Sequence, residues 1–199
     1  MTTNESFPKF DLPVDFIADD SITGDILNYY GNFPCKIKAG VFVLCTEGMV
    51  RATINLLEIV IRKNDFIVVL PNSFIQIHEV SSDTRISFAG FSSDFMLSGN
   101  YVEILLDFMP MILNSPVISL QEDVAGLYRN VYLLLIRAYT LPHSLENKEI
   151  IRSVLAIFLQ GTKELYKRYG KKLDEPLRRE QELYRQFIQL LMAHYTTEH

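Results

Sequence analysis

The sequence predicts an α+β protein, an antiparallel β-barrel followed by a helical segment. Three observations carry this. Between residues 25 and 91, short runs rich in β-branched and aromatic residues alternate with turn signals at even spacing. One pair of runs has a period-2 pattern that fixes its own register. Past Phe91 the apolar spacing changes to threes and fours, the period of a helix.

Residues 1–24 read as an arm. Pro8 and Pro13 interrupt regular structure, yet Phe7, Phe10, Leu12 and Phe16 supply more apolar surface than a disordered tail carries. The arm is expected to pack on something.

The barrel is expected over residues 25–91, with strands at "ILNYY", "VFVLC", "MVRATI", "LEIVI", "DFIVVL", "FIQIHEV" and "RISFAGF". A two-residue turn at Asn55-Leu56 sets Ile54 opposite Leu57, Ala52 opposite Ile59 and Val50 opposite Ile61. Thr53 then meets Glu58 and Arg51 meets Val60. One face is wholly apolar and the other mixed, and a one-residue slip would mix them. Further on, Leu70-Pro71-Asn72-Ser73 breaks two good strands and reads as a corner, where the proline nitrogen owes no ladder bond. Simple alternation after this corner puts Gln76 and His78 on one strand face with Phe74 and Val80.

Residues 92–172 read as helical. Asn100-x-x-Glu103 and Ser119-x-x-Glu122 fit capping boxes, opening helices that end near Leu113 and before Pro142. A third helix is expected from about Glu146 to Tyr169, stopped by Gly170. Its positions Ile151, Val154, Leu155, Phe158 and Leu165 form one stripe, and Ile150, Ile157 and Tyr166 a second. One stripe can pack on the barrel while the other needs a partner. Residues 173–199 read as a last helix, after Asp174-Glu175-Pro176.

Composition narrows the function. Hydrophobic residues make up 48% of the 199 and charged ones 22%, ordinary for a globular chain. No apolar run reaches membrane-spanning length, and the N-terminus lacks a basic start with an apolar core, so no membrane association and a cytoplasmic location are expected. Cys35 and Cys45 have no metal or redox spacing and read as small hydrophobes in a reducing compartment. The net charge of −5 divides into −7 over residues 1–145 and +2 over 146–199. A phosphate-binding surface is therefore expected only near or beyond the C-terminus. Lys163, Lys167, Arg168, Lys171 and Lys172 read as solvated cations suited to a helix C-terminus. His78, His143, His194 and His199 form no ligand pair, and no nucleophile elbow or phosphate-cradling glycine loop is present. No catalytic residue, metal or cofactor is expected, and the chain does not read as an enzyme.

Asn64-Asp65, apolar alternation, Pro71 and a polar residue five places later resemble the second motif of the cupin barrel (double-stranded β-helix). Metal-binding cupins have a histidine ligand where this chain has Gln76, Ser73 replaces the usual glycine, and no His-x-His pair lies within residues 35–61. The resemblance extends to the fold and not to the metal. The order of arm, barrel, helices and a two-sided helix resembles the N-terminal part of AraC/XylS-type transcription regulators. "TEGMVRATINLLEIVIRKNDFIVVLPNSFIQI" and "FAGFSSDFM" match best. The tail "EQELYRQFIQLLMAHYTTEH" resembles the first helix of that family's DNA-binding region, whose helix-turn-helix motifs would follow.

The resemblance implies a ligand-sensing and dimerisation portion of a DNA-binding regulator. An unidentified small-molecule effector would meet Gln76, His78, Val50, Ala52, Ile54 and Ile59. A homodimer seam would use Ile151, Val154, Leu155, Phe158 and Leu165. Promoter DNA would be a partner only through the region beyond His199. Each set also fits plain packing. The alternative functions are a stand-alone non-metal cupin protein or a small-molecule enzyme.

Overall fold

The computed structural model describes residues 9–10, 12–31, 33–97, 101–140 and 148–169, with Leu183 and Gln186. The chain is α+β. Sheet A has the order β1 (Lys9–Phe10), β3 (Cys35–Ile37), β8 (Ser73–Val80), β5 (Met49–Ile54), β6 (Leu57–Arg62). Sheet B has the order β10 (Val117–Ser119), β7 (Asp65–Val69), β4 (Gly40–Glu47), β9 (Arg85–Phe91), β2 (Phe16–Thr23). Every ladder is antiparallel except β1 with β3. The described helices are α1 (Gly24–Tyr30), α2 (Ser93–Leu97), α3 (Tyr101–Asn114), α4 (Glu122–Thr140) and α5 (Lys148–Tyr169). The expected barrel is found as two sheets packed face to face, with no ladder closing them into a cylinder among the described residues.

The β5–β6 hairpin has the register its alternation specifies: Ile54 opposite Leu57, Ala52 opposite Ile59, Val50 opposite Ile61. The turn places Asn55 at φ 49° and Leu56 at φ 70°, the left-handed pair whose twist matches a two-residue hairpin. Asn55 also ties this turn to the corner after β7, donating from Nδ2 to Ser73 Oγ at 3.0 Å and accepting from the Phe74 N–H at 2.8 Å.

The architecture has three layers: sheet A, sheet B and the helices. β7 is buried at every residue because both of its own faces are covered, one by sheet A and the other by the helices. Phe42, Leu44, Phe66, Val68, Ala89 and Phe91 belong to the helix-side core, together with residues of α3, α4 and α5. Phe158 is its hub, 4.8 Å from the Phe42 ring, 5.8 Å from Phe66, 5.6 Å from Tyr128 and 5.5 Å from Tyr132. Each such pair adds roughly 0.5–1.5 kcal/mol beyond area burial. α5 approaches α4 closely at Gly161, where an added Cβ would lie 2.8 Å from the Tyr128 hydroxyl oxygen.

Several sequence expectations are corrected. "ILNYY" lies in helix α1: Leu27 packs on the inter-sheet cluster while Ile26 stays exposed, a division that helical spacing allows. Ser119 does not open a helix. It ends β10, and its hydroxyl donates to Asp65 Oδ1 at 2.6 Å, while α4 begins at Glu122. The sheets reach beyond residues 25–91, since β2 edges sheet B on one side and β10 on the other. The C-terminal stop at Gly170 and the last helix lie outside the described residues, apart from two isolated positions.

Candidate ligand-binding cleft

The inner faces of the two sheets enclose one apolar space. Sheet A contributes Val50, Ala52, Ile54, Ile59 and Ile61, and sheet B Cys45, Ile67, Val69 and Ile86. These nine are buried. Val50, Ala52, Ile54 and Ile59, the apolar residues expected to meet a ligand, are thus brought together on the inner wall at its closed side.

Around these nine residues the packing is looser. Ile75 and Ile77 on β8, Ile37 on β3, Val41 and Val43 on β4, and Phe88 on β9 belong to the same cluster but are only half-buried. Their neighbours on the helix side of the same strands are closed off: Phe42 is 1% exposed, Leu44 and Ala89 0%. Val43 faces Phe88 across the ladder. The centre of sheet B is therefore sealed on the helix side and reachable by solvent on the other. That combination leaves apolar side chains between the sheets partly exposed, a candidate opening of a ligand site toward the β3–β2 side.

Two segments flank the opening. α1 connects β2 of sheet B to β3 of sheet A, and Leu27 and Ile22 join the cleft lining. The N-terminal segment spans both sheets: β1 pairs with β3, Leu12 reaches Gly90, and β2 pairs with β9. A Cβ on Gly90 would lie 3.0 Å from Leu12 Cδ1 and 3.4 Å from Ile17 Cγ2, so glycine here admits the Leu12 side chain. Burial raises the pKa of the Cys35 thiol above its ordinary value. Deeper in, Cys45 donates from Sγ to the Glu47 carbonyl at 3.2 Å, and burial beside Asp65 pushes its thiol up to about 11.

Gln76 and His78 do not enter the cleft. Arg51 pairs with Glu79 and the next residue, Ala52, with Ile77, so His78 is an extra residue bulged out of β8. Ile75, Ile77 and, after the bulge, Val80 face inward. Gln76 lies opposite Thr53 on the outer face. His78 is exposed there, with Nε2 2.7 Å from Thr53 Oγ1, beside the Arg51–Glu79 ion pair at 3.0 Å. The signal was in the sequence: Ile75 and Ile77 are apolar, Glu79 is not, and Val80 is. That reversal of phase within one strand marks a bulge.

Ile151, Val154, Leu155, Phe158 and Leu165 are brought together, but inside the chain's own helix-side core, at 0–8% exposure. That side of α5 is filled by sheet B and the other helices. Of the second stripe, Ile157 is 66% exposed, while Tyr166 is buried against Phe108. Among the described residues no group of His, Cys, Asp and Glu is placed to hold a metal ion. No described helix is long and apolar enough to cross a membrane.

No protein-family model matches the chain, and no curated protein does. Among solved structures it is similar to ToxT from Vibrio cholerae at 13% identity, over 85% of this chain and 63% of that one, with a TM-score of 0.43. A ToxT structure with bound unsaturated fatty acid is 10% identical over 86% of this chain and 62% of that one, at a TM-score of 0.42. The AraC-like transcriptional activator CuxR is 11% identical over 77% of this chain and 51% of that one, at a TM-score of 0.44. The chain spans less than two thirds of the length of each.

Proposed function

We propose that this chain is the effector-sensing part of an AraC-type transcription regulator, its two sheets serving as a cupin-like container for a small apolar molecule. The observation that carries this reading is the contrast across sheet B, where Phe42 and Leu44 are sealed and the apolar Val43 and Phe88, beside them, are only half-buried. An antiparallel sheet commonly leaves one face to water, but that face is then polar; here the partly exposed side chains, Val43 and Phe88, are apolar. Apolar walls with few polar groups are the usual lining of a small-molecule site.

The mechanism is a population shift. A ligand between Ile77, Val43 and Phe88 would stabilise the arrangement in which α1 and the N-terminal segment close over the β3–β2 side. That bias would pass to a DNA-reading region following this chain. It requires the ligand to bind the closed arrangement better than the open one.

The chain has no tryptophan, so Phe88→Trp places a single indole reporter in the cleft. Titration with a panel of apolar small molecules, an unsaturated fatty acid among them, is expected to shift the emission of this variant and raise the melting temperature of the unmodified protein. If no compound moves either signal, and the emission maximum already reports a dry, filled interior, the sensor reading fails.

A further inference from the structure

We propose that the free edge of sheet A, strand β6, pairs with β6 of a second copy of this chain, about a two-fold axis at Val60. The pairing stands on the geometry of the edge and does not depend on the sensor reading.

The four edges of the two sheets differ. β1 and β10 are two and three residues long. β2 is interrupted by an irregularity between Asp19 and Ile22 and is packed by α4. Each of these carries a usual protection against edge-to-edge pairing: shortness, a bulge or a covering helix. Among the described residues β6 has none of these three, and its outward charges, Glu58 and Arg62, are of opposite sign. It is six residues long, its register with β5 is unbroken, and among the described residues no other strand pairs with it. Its sequence, Leu57-Glu58-Ile59-Val60-Ile61-Arg62, has strong β-propensity at its centre.

The hairpin decides which groups the edge offers. With a two-residue turn, Leu57, Ile59 and Ile61 direct their N–H and C=O groups to β5, and Glu58, Val60 and Arg62 direct theirs outward. The Arg62 N–H is already taken, donating to Asp65 Oδ2 at 2.7 Å. The edge thus presents the N–H of Glu58 and Val60 and the C=O of all three.

A second copy is the occupant this edge fits. In an antiparallel pair centred on Val60, Val60 meets its own counterpart, Glu58 meets the other copy's Arg62, and Arg62 its Glu58. All three side chains are exposed on the outer face. Two opposite-charge pairs and one apolar pair fall into register at once, as an isologous contact requires. The partner's missing Arg62 donor is no obstacle: Val60 exchanges two bonds across the axis, and each Glu58 N–H finds an Arg62 C=O. Ile59 and Ile61 continue the inner face from one sheet into the other. Five residues a side is a small contact, so the dimer is a weak one.

Sedimentation equilibrium of the full chain, at concentrations up to about 100 µM where a weak edge contact is populated, tests the pairing. Glu58→Arg and Arg62→Glu each put like charges opposite one another twice and are expected to weaken the dimer by at least about tenfold. The double variant, Glu58→Arg with Arg62→Glu, restores both pairs and is expected to recover the dimer, which a variant that merely misfolds could not do. Val60→Pro removes the two central donors without touching the β5 ladder and is expected to leave a folded monomer. A monomeric parent, a dimer unchanged by either single swap or by Val60→Pro, or a double swap that stays monomeric overturns the proposal. Because none of these substitutions touches the cleft, ligand response is read independently on the same variants.

Discussion

Thr53 Oγ1 lies 2.7 Å from His78 Nε2 on the outer face of sheet A, one layer away from the apolar space that His78 was expected to enter. Gln76 and His78 alternate with the inward Ile75 and Ile77 and so lie on the outer face. His78→Ala and Gln76→Ala are therefore expected to leave the Phe88→Trp emission response to ligand unchanged. They should alter unfolding free energy by no more than about 0.5 kcal/mol, as surface substitutions usually do. Loss of the ligand response in either variant would return these residues to the site.

Leu56 sits at φ 70° with its side chain 70% exposed. It bears the cost of the left-handed region without the benefit of burial. Leu56→Gly converts the turn to Asn-Gly, the preferred pair for this geometry. Urea unfolding is expected to show a gain of about 0.5–1 kcal/mol. A loss would mean that Leu56 packs in solution.

Phe158 is 2% exposed and touches four aromatic rings from sheet B and α4. Phe158→Ala is expected to destabilise by about 3–5 kcal/mol, in the range for a buried aromatic. A much smaller loss in denaturant titrations would contradict the assignment of this side of α5 to the chain's own core.

The two thiols differ in access. Cys35 is half-buried beside the cleft mouth and Cys45 is fully buried. A maleimide is expected to label Cys35 first, and a ligand filling the cleft to slow that reaction. Equal rates for both thiols would contradict the layering.

The folded-state pKa of Cys45 is raised from its ordinary 9.0 to about 11. Its contribution to stability is fully present below the unfolded value and is lost as pH rises through the folded one. Unfolding free energy should fall between pH 9.0 and about 11 more steeply in the parent than in Cys45→Ala. Parallel curves would refute this. Glu122 behaves in the opposite sense. Its carboxylate accepts from Asn64 Nδ2 at 2.6 Å, and that bond, then Lys63 and Arg129, hold it below the usual carboxylate range. Its stabilising effect is present above the unfolded pKa and lost as pH falls through the folded one. In Asn64→Ala, a carboxyl-carbon NMR titration should find the Glu122 midpoint moved upward.

The β5–β6 hairpin was legible residue by residue because its pairing is local. Alternation chooses the face, and a two-residue turn leaves one register that keeps the faces unmixed. The α+β class and the long α5 were legible for the same reason, since both rest on periodicities carried by neighbours in sequence. The direction of β8 was not read correctly, because it was taken from the likeness of Gln76 to a cupin ligand position, whereas Ile75 and Ile77 are the residues that face inward. Nor was α1: a five-residue apolar run has the same composition whether it pairs or coils.

What the sequence by itself determined is which residues are apolar and with what period, and hence the central strands, the long helices and the one hairpin register. Only the tertiary structure decided which apolar stripe meets which. It gave the Phe158 side of α5 to the core of its own chain. It left Val43 and Phe88 half-buried while Phe42 and Leu44 were sealed, and among the described residues it left β6 as a sheet edge that no strand pairs. The reason is physical: burial is non-directional and scales with the area removed from water, so a stripe's composition says that it will be covered, and only the packing of distant segments says by what.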